Sequence, residues 1–254
     1  MSRALLSFVA TAPFPWNTPA VTAAGTRARV RAALTREIVD AARRHLATDG
    51  AAGLSLRAVA RELGMASSAV YRYFPSRDEL LTTLIVEAYD ALGAAAEEAA
   101  EEEAAAAGNG LRARLHAACG AVRGWALAQP HEYALVYGSP VPGYAAPQAT
   151  IGPAARVGVV LSRIVAEGVA AGVVDPGTGG ADAALAPGAA EAVGLPVDPG
   201  ATVGARVVQV WTALFGLISF EVFGQLHNVV DRREEFFHDA VERLGDLLGL
   251  PPAR

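Results

Sequence analysis

Leu34, Ile38, Ala41, Ala42 and Leu46 recur at helical spacing, and Asp49-Gly50 stops the helix they define. Ser55 stands where it can cap the next element. There Leu56, Val59, Ala60 and Leu63 make one apolar face of a two-turn helix closed by Gly64. A second short helix is expected over Ser67 to Phe74, with Pro75 breaking it. Ser76 and Glu79 are spaced as a capping box at the start of a long helix. Leu80, Leu81, Leu84, Ile85, Ala88, Tyr89 and Leu92 form its apolar side. From Gly93 to Ala107 the pattern dissolves into alanine and glutamate, which predicts a solvated helical extension.

Further on, Leu111 to Gln129 reads as a helix stopped by Pro130, and Tyr133 to Tyr137 as a short apolar piece. Prolines and glycines make Ser139 to Pro153 a loop. Ala154 to Ala171 is a helix ended by Gly172. Asp175 to Gly200 is a long surface loop, with a single helical turn at Ala181 to Leu185. Thr202 to His227 is a very apolar helix, and Arg232 to Leu248 an amphipathic one. No segment sustains period-2 alternation, so the fold class is all-α. The expected units are a flexible N-terminal arm over 1–26, a three-helix helix-turn-helix unit over 27–81, and a helical bundle over 82–254. Pro13, Pro15 and Pro19 forbid regular helix in the arm.

Charge sharpens this division. The net charge of −5 taken alone argues against a polyanion-binding protein. Yet all 21 basic residues are arginine, and 11 of them stand against 6 acids in the stretch up to Leu81. The remaining 10 face 20 acids. A basic first part joined to an acidic second part implies that only the first meets a polyanion. The single cysteine, Cys119, excludes an intrachain disulfide framework and reads as a small buried residue. Ala4 to Ala10 is too short and too close to Pro13 for a usual signal peptide. Val207 to Leu226 carries Gln209, Glu221 and Gln225, so a buried or interface helix is expected there, not a membrane span. A cytoplasmic protein is the expectation.

The two short helices and the Gly64 turn between them carry the most specific chemistry. A helix that enters the major groove needs small and polar side chains at its start, because the groove is about 12 Å wide. Ser67, Ser68 and Ala69 meet that need. Tyr71, Arg72 and Tyr73 follow within reach of phosphates or base edges, while Arg57 and Arg77 flank them as backbone clamps. Val59, Leu63, Val70 and Phe74 read as core.

At these residues the chain resembles a known family. Leu34 to Ala42, Ser55 to Met65 and Ala69 to Leu81 are similar to the N-terminal domain of the TetR family. The resemblance implies a one-component transcriptional regulator, usually a repressor, that binds double-stranded DNA as a homodimer. Tyr73 stands where the family often has histidine, and Arg77 where it often has lysine. The later segments Trp125 to Pro130 and Trp211 to Gly216 resemble the regulatory domain named for a Trp-His-Gly motif, with Phe215 at the histidine position. That implies a helical domain for an unidentified small-molecule effector and for dimerisation through the last two helices. Trp125, Tyr133, Tyr137, Trp211 and Phe215 are the candidates for the effector site; Phe220 is a further aromatic there.

Signals for catalysis are lacking. There is no Gly-rich phosphate loop, no His-x-x-x-His pair and no Gly-x-Ser-x-Gly elbow. His116 and Cys119 lie three apart on one helix, but two ligands do not make a metal site. No cofactor, catalytic residue or metal ligand is assigned. The rival readings are an all-helical enzyme or binding protein that keeps a vestigial DNA-binding head.

Overall fold

The computed structural model describes residues 23–107, 110–186, 188 and 200–252. The expected arm lies outside the described residues through position 22, as do parts of the Gly108-Asn109 turn and of the 175–200 loop. Among the described residues there are nine α-helices and no strand. They are α1 Ala23–Gly53, α2 Leu56–Glu62, α3 Ser67–Val70, α4 Arg77–Ala107, α5 Leu111–Ala128, α6 Pro130–Tyr137, α7 Ile151–Ala170, α8 Val203–Val222 and α9 Arg233–Leu248. Gly50 breaks α1 at φ 68°, in the left-handed region, where its sequence places the stop.

Two apolar cores divide the molecule. The first joins Ile38, Ala41 and Leu46 of α1 to Val59 of α2, Val70 of α3, Phe74 and the first turns of α4, with Leu135 of α6 reaching in. The second joins the distal half of α4 to α5, α7, α8 and α9. Helix α4 belongs to both and links head to body.

Several boundaries differ from the pattern. The helix begins at Ala23, so Ala23 to Thr26 are not part of a loose arm. Helix α3 is regular only over Ser67–Val70, short of the Phe74 end expected. Beyond it the Tyr73 and Phe74 N–H groups both donate to the Val70 carbonyl, Tyr73 in the tighter three-residue turn. Ser55 has the extended backbone of a cap, but its side chain makes no capping hydrogen bond. Ser76 does cap, accepting from the Glu79 N–H at 3.1 Å. Helix α7 starts at Ile151, because Pro153 falls in its first turn, where its missing N–H has no intrahelical partner to lose.

The alanine-rich part of α4 is not a solvated extension. Ala96 and Ala100 are buried against α5 and α7, where small side chains let the helices approach closely. Its outer glutamates are partly recruited as well. Arg156 of α7 donates to Glu97 at 2.9 and 2.6 Å and to Asp90 at 3.0 Å. Gly93 makes this crossing possible, since a Cβ there would stand 2.6 Å from Arg156. Two further arginines tie the bundle. Arg112, 3% exposed, donates to the Glu242, Leu250 and Pro251 carbonyls and to Asp246 at the end of α9. Arg123 pairs with Glu221 of α8 at 2.7 Å.

Candidate nucleic-acid interface and effector region

The geometry of the head follows from its core. Val59, Val70 and Phe74 are buried and Leu63 is half-buried, which fixes α2 against α3. Gly64 turns the chain at φ 64°. What the core does not take is left on one surface. Ser68, Tyr71 and Arg72 are exposed, and Ser67, Ala69 and Tyr73 are half-buried. Arg57 is exposed on α2. Among the described residues neither Arg57 nor the Arg72 guanidinium has a hydrogen-bond or ion-pair partner.

Tyr73 packs partly on the core, and the Arg31 guanidinium lies 5.0 Å over its ring. Arg31 also donates to the Arg72 carbonyl at 3.4 Å. The N-terminal half of α1 therefore runs beside the reading helix and brings arginines with it. The sequence pattern did not single these out, because Arg27, Arg29 and Arg31 precede its first clear apolar period.

Arg77, expected as a phosphate clamp, is engaged within the head itself. Its Nε donates to the Leu54 carbonyl at 3.0 Å, and its Nη2 to the Ala51 carbonyl at 2.8 Å and the Ala52 carbonyl at 3.3 Å. These carbonyls lie in the last turn of α1 and just past it, where a cation both satisfies and stabilises them. Arg77 braces α1 on α4. Spacing alone could not distinguish this from a phosphate contact.

The five effector candidates fall together only in part. Tyr137 stacks on Phe215 at 4.1 Å and on Tyr133 at 5.1 Å, and Trp211 meets Phe215 edge-on at 5.7 Å. Trp125 is half-buried against the same core. Tyr133 is fully buried, with its hydroxyl 2.8 Å from Ser219 Oγ. Burial pushes the Tyr133 hydroxyl above the usual phenol range and the Tyr137 hydroxyl well above it. These side chains fill their space with one another. A cavity of about 550 Å³ lies elsewhere, between α4, α6, the 138–147 segment and the start of α7. None of the five lines it. Tyr89, a wall residue, touches the stack edge-on at Tyr137, 5.9 Å away.

His116 and Cys119 do not converge on one point. His116 bonds Glu242 at 2.7 Å and meets the His238 ring at a tilt, 4.5 Å away, while Cys119 is fully buried, its thiol pushed up to about 12 by desolvation. No group of three or more metal-ligating side chains is found among the described residues. Two helices, Gln148–Ala170 with its leading turn and Val203–Val222, are long and apolar enough to cross a membrane by length and composition. Both pack into the second core.

A short brace helix, a glycine turn, a short exposed reading helix and a helical body linked through α4 define a helix-turn-helix regulator. Residues 38–84 match the model of bacterial regulatory proteins of the tetR family. Residues 115–244 match a tetracyclin repressor-like C-terminal domain. The HTH-type transcriptional regulator Rv1816 of Mycobacterium tuberculosis is 43% identical over 206 residues, which cover 79% of this chain and 86% of that protein. The crystal structure of the protein SCO4313 is 36% identical, superposes with a TM-score of 0.70, and covers 88% of this chain and 98% of its own. A protein of unknown function from Rhodococcus sp. RHA1 is 27% identical with a TM-score of 0.64, over 86% and 96% of the two chains. The chain belongs to the TetR family. It is a ligand-responsive, sequence-specific DNA-binding transcriptional regulator.

Proposed function

We propose that two copies of this chain bind a palindromic operator, each laying the Ser67 to Phe74 segment in a major groove. The observation that carries this is the exposed set Ser68, Tyr71 and Arg72 on a helix whose opposite side, Val70 and Phe74, is locked in the core. Ser67, Ser68 and Ala69 meet base edges. Arg57, Arg72 and Tyr73 hold the flanking phosphates, and the N-terminal turns of α1 add positive charge beside them. Arg77 acts from behind, by fixing α1.

A stripe on the last two helices supports the homodimer. Val208, Thr212, Gly216, Phe220 and Phe223 are exposed along α8 and its end, and Phe236 and Leu247 along α9. Large exposed apolar side chains in such a row mark a protein interface, here between copies, as four helices. The regulator works in the cytoplasm, where its DNA is, and has no catalytic role of its own. Repression is relieved by an effector in the C-terminal domain that prefers the non-binding spacing of the heads. Binding to random duplex DNA tests the reading. Sequence-selected palindromes support it, and folded dimer that enriches no sequence at any salt contradicts it.

A further inference from the structure

We propose that Arg31, on the first turns of α1, is a positioning residue for DNA binding: its guanidinium pins the Tyr73 ring so that the Tyr73 hydroxyl meets a backbone phosphate. This rests on the regulator reading above.

The first turns of α1 have no apolar anchor. Thr26 to Ala32 are all exposed, and neither core of the molecule takes a residue before Ile38. Arg27, Arg29, Arg31 and Arg36 precede the first acid of the helix, Glu37. Arg31 ties these turns to the reading segment. Its guanidinium carbon lies 5.0 Å from the centre of the Tyr73 ring, and its Nη2 donates to the Arg72 carbonyl at 3.4 Å, 41 positions along the chain. The hydrogen bond fixes where the guanidinium sits, and the planar cation then covers the ring. Tyr73 is also packed on the head core, so core and guanidinium hold the ring together.

The Tyr73 hydroxyl is left over. It has no hydrogen-bond partner among the described residues and is not buried. An O–H group donates well to a phosphate oxygen only at short range and near-linear geometry, so the ring must keep its angle. A ring fixed before binding spares the entropy of fixing it on the DNA. Arg31 is already engaged by a ring and a carbonyl. It is therefore placed to act through Tyr73 and not as a phosphate contact of its own.

A double-mutant cycle tests this, with Arg31→Gln and Tyr73→Phe, singly and together, measured on a palindrome selected by the wild-type protein. Tyr73→Phe keeps the ring under the guanidinium and removes only the hydroxyl. Loss of α1 packing, or of positive charge near the phosphates, would therefore lower affinity by the same factor in both backgrounds. Positioning would not. Arg31→Gln is expected to weaken binding roughly three- to fivefold more with Tyr73 present than with Tyr73→Phe. The selected sequence should stay the same, because a phosphate contact carries no base information. Should Arg31→Gln melt early, Arg31→Lys, which keeps the charge and loses the planar stack, takes its place. Equal factors in both backgrounds overturn the inference, as does a Tyr73→Phe protein that binds as tightly as the wild type. A changed palindrome would put Arg31 on a base and overturn it too. Wild-type protein that selects no palindrome overturns the regulator reading and this inference together, whereas an additive cycle on a selected palindrome overturns this inference alone.

Discussion

Arg77 and Arg72 sit five positions apart at either side of the same turn, and only the structure separates their roles. Arg77 donates to two carbonyls of α1 and to that of Leu54 just beyond it, whereas the Arg72 guanidinium has no partner among the described residues. Arg77→Ala should therefore lower the melting temperature as well as DNA affinity, because these carbonyls lose their donor, at a cost of about 1–3 kcal/mol. Arg72→Ala and Arg57→Ala should leave the melting temperature unchanged. Both should weaken binding to all duplexes by similar factors and reduce the salt slope by about one per arginine. Ser68→Ala belongs to a different class, since it should change which sequences are selected. Thermal melts beside salt titrations check the three arginines, and selection from random duplexes checks Ser68. The exposure of Ser68, Tyr71 and Arg72 was legible as a set, because the apolar positions of their segment, Val70 and Phe74, fall on its other side. Which arginine faces inward was not legible, since the carbonyls it meets lie 23 to 26 positions away in sequence.

At the scale of elements, apolar periodicity located the helices, and tertiary contacts settled their ends. The alanine-glutamate stretch of α4 is the instructive case. Its composition fits a solvated helix equally well, and only the arginines of another helix reveal the packed face. Glu97, held by Arg156, and Glu167, held by Arg114, both have carboxyls kept below the usual range. A lowered folded pKa means that the stabilisation is present above the unfolded value, about 4.3, and is lost as pH falls through the folded one. Acid titration should accordingly loosen α7 from α4 and α5 below about pH 4, and Glu97→Gln should remove part of that dependence. The turn at Ala181–Ala184 has a similar hidden use. Buried Asp182 accepts from the Gly204 and Ala205 N–H groups at 3.1 and 2.8 Å, capping α8 from a distant loop. Asp182→Ala should cost about 1–2 kcal/mol in urea unfolding; no loss would refute the cap. Only a single helical turn was readable there, because the helix it caps begins 21 residues further along.

Across the whole molecule, the split between a basic head and an acidic body was visible as charge before any fold was known. The packing of the aromatic residues was not: they suggested a cavity lining, whereas Tyr133, Tyr137 and Phe215 pack on one another and a cavity lies beyond Tyr89. Sequence cannot distinguish aromatics that line a void from aromatics that fill it. Dimerisation belongs to this scale as well. A Cβ added at Gly216 meets nothing within 4 Å of its own chain, yet Gly216 lies in the centre of the exposed stripe on α8. Gly216→Phe should leave the subunit folded by circular dichroism and reduce the mass in solution to that of a monomer. A dimer that survives this change would place the interface elsewhere.

The central claim is that two copies read DNA through exposed residues on a helix whose other face is buried. The most direct measurement is selection of bound sequences from random duplex DNA at moderate salt, with Arg72→Ala in parallel. The account predicts a palindrome whose half-sites lie about one helical turn, or a multiple of it, apart, with the mutant weakened on every sequence. Folded dimer that enriches no sequence, or a palindrome bound equally well by the mutant, would contradict it.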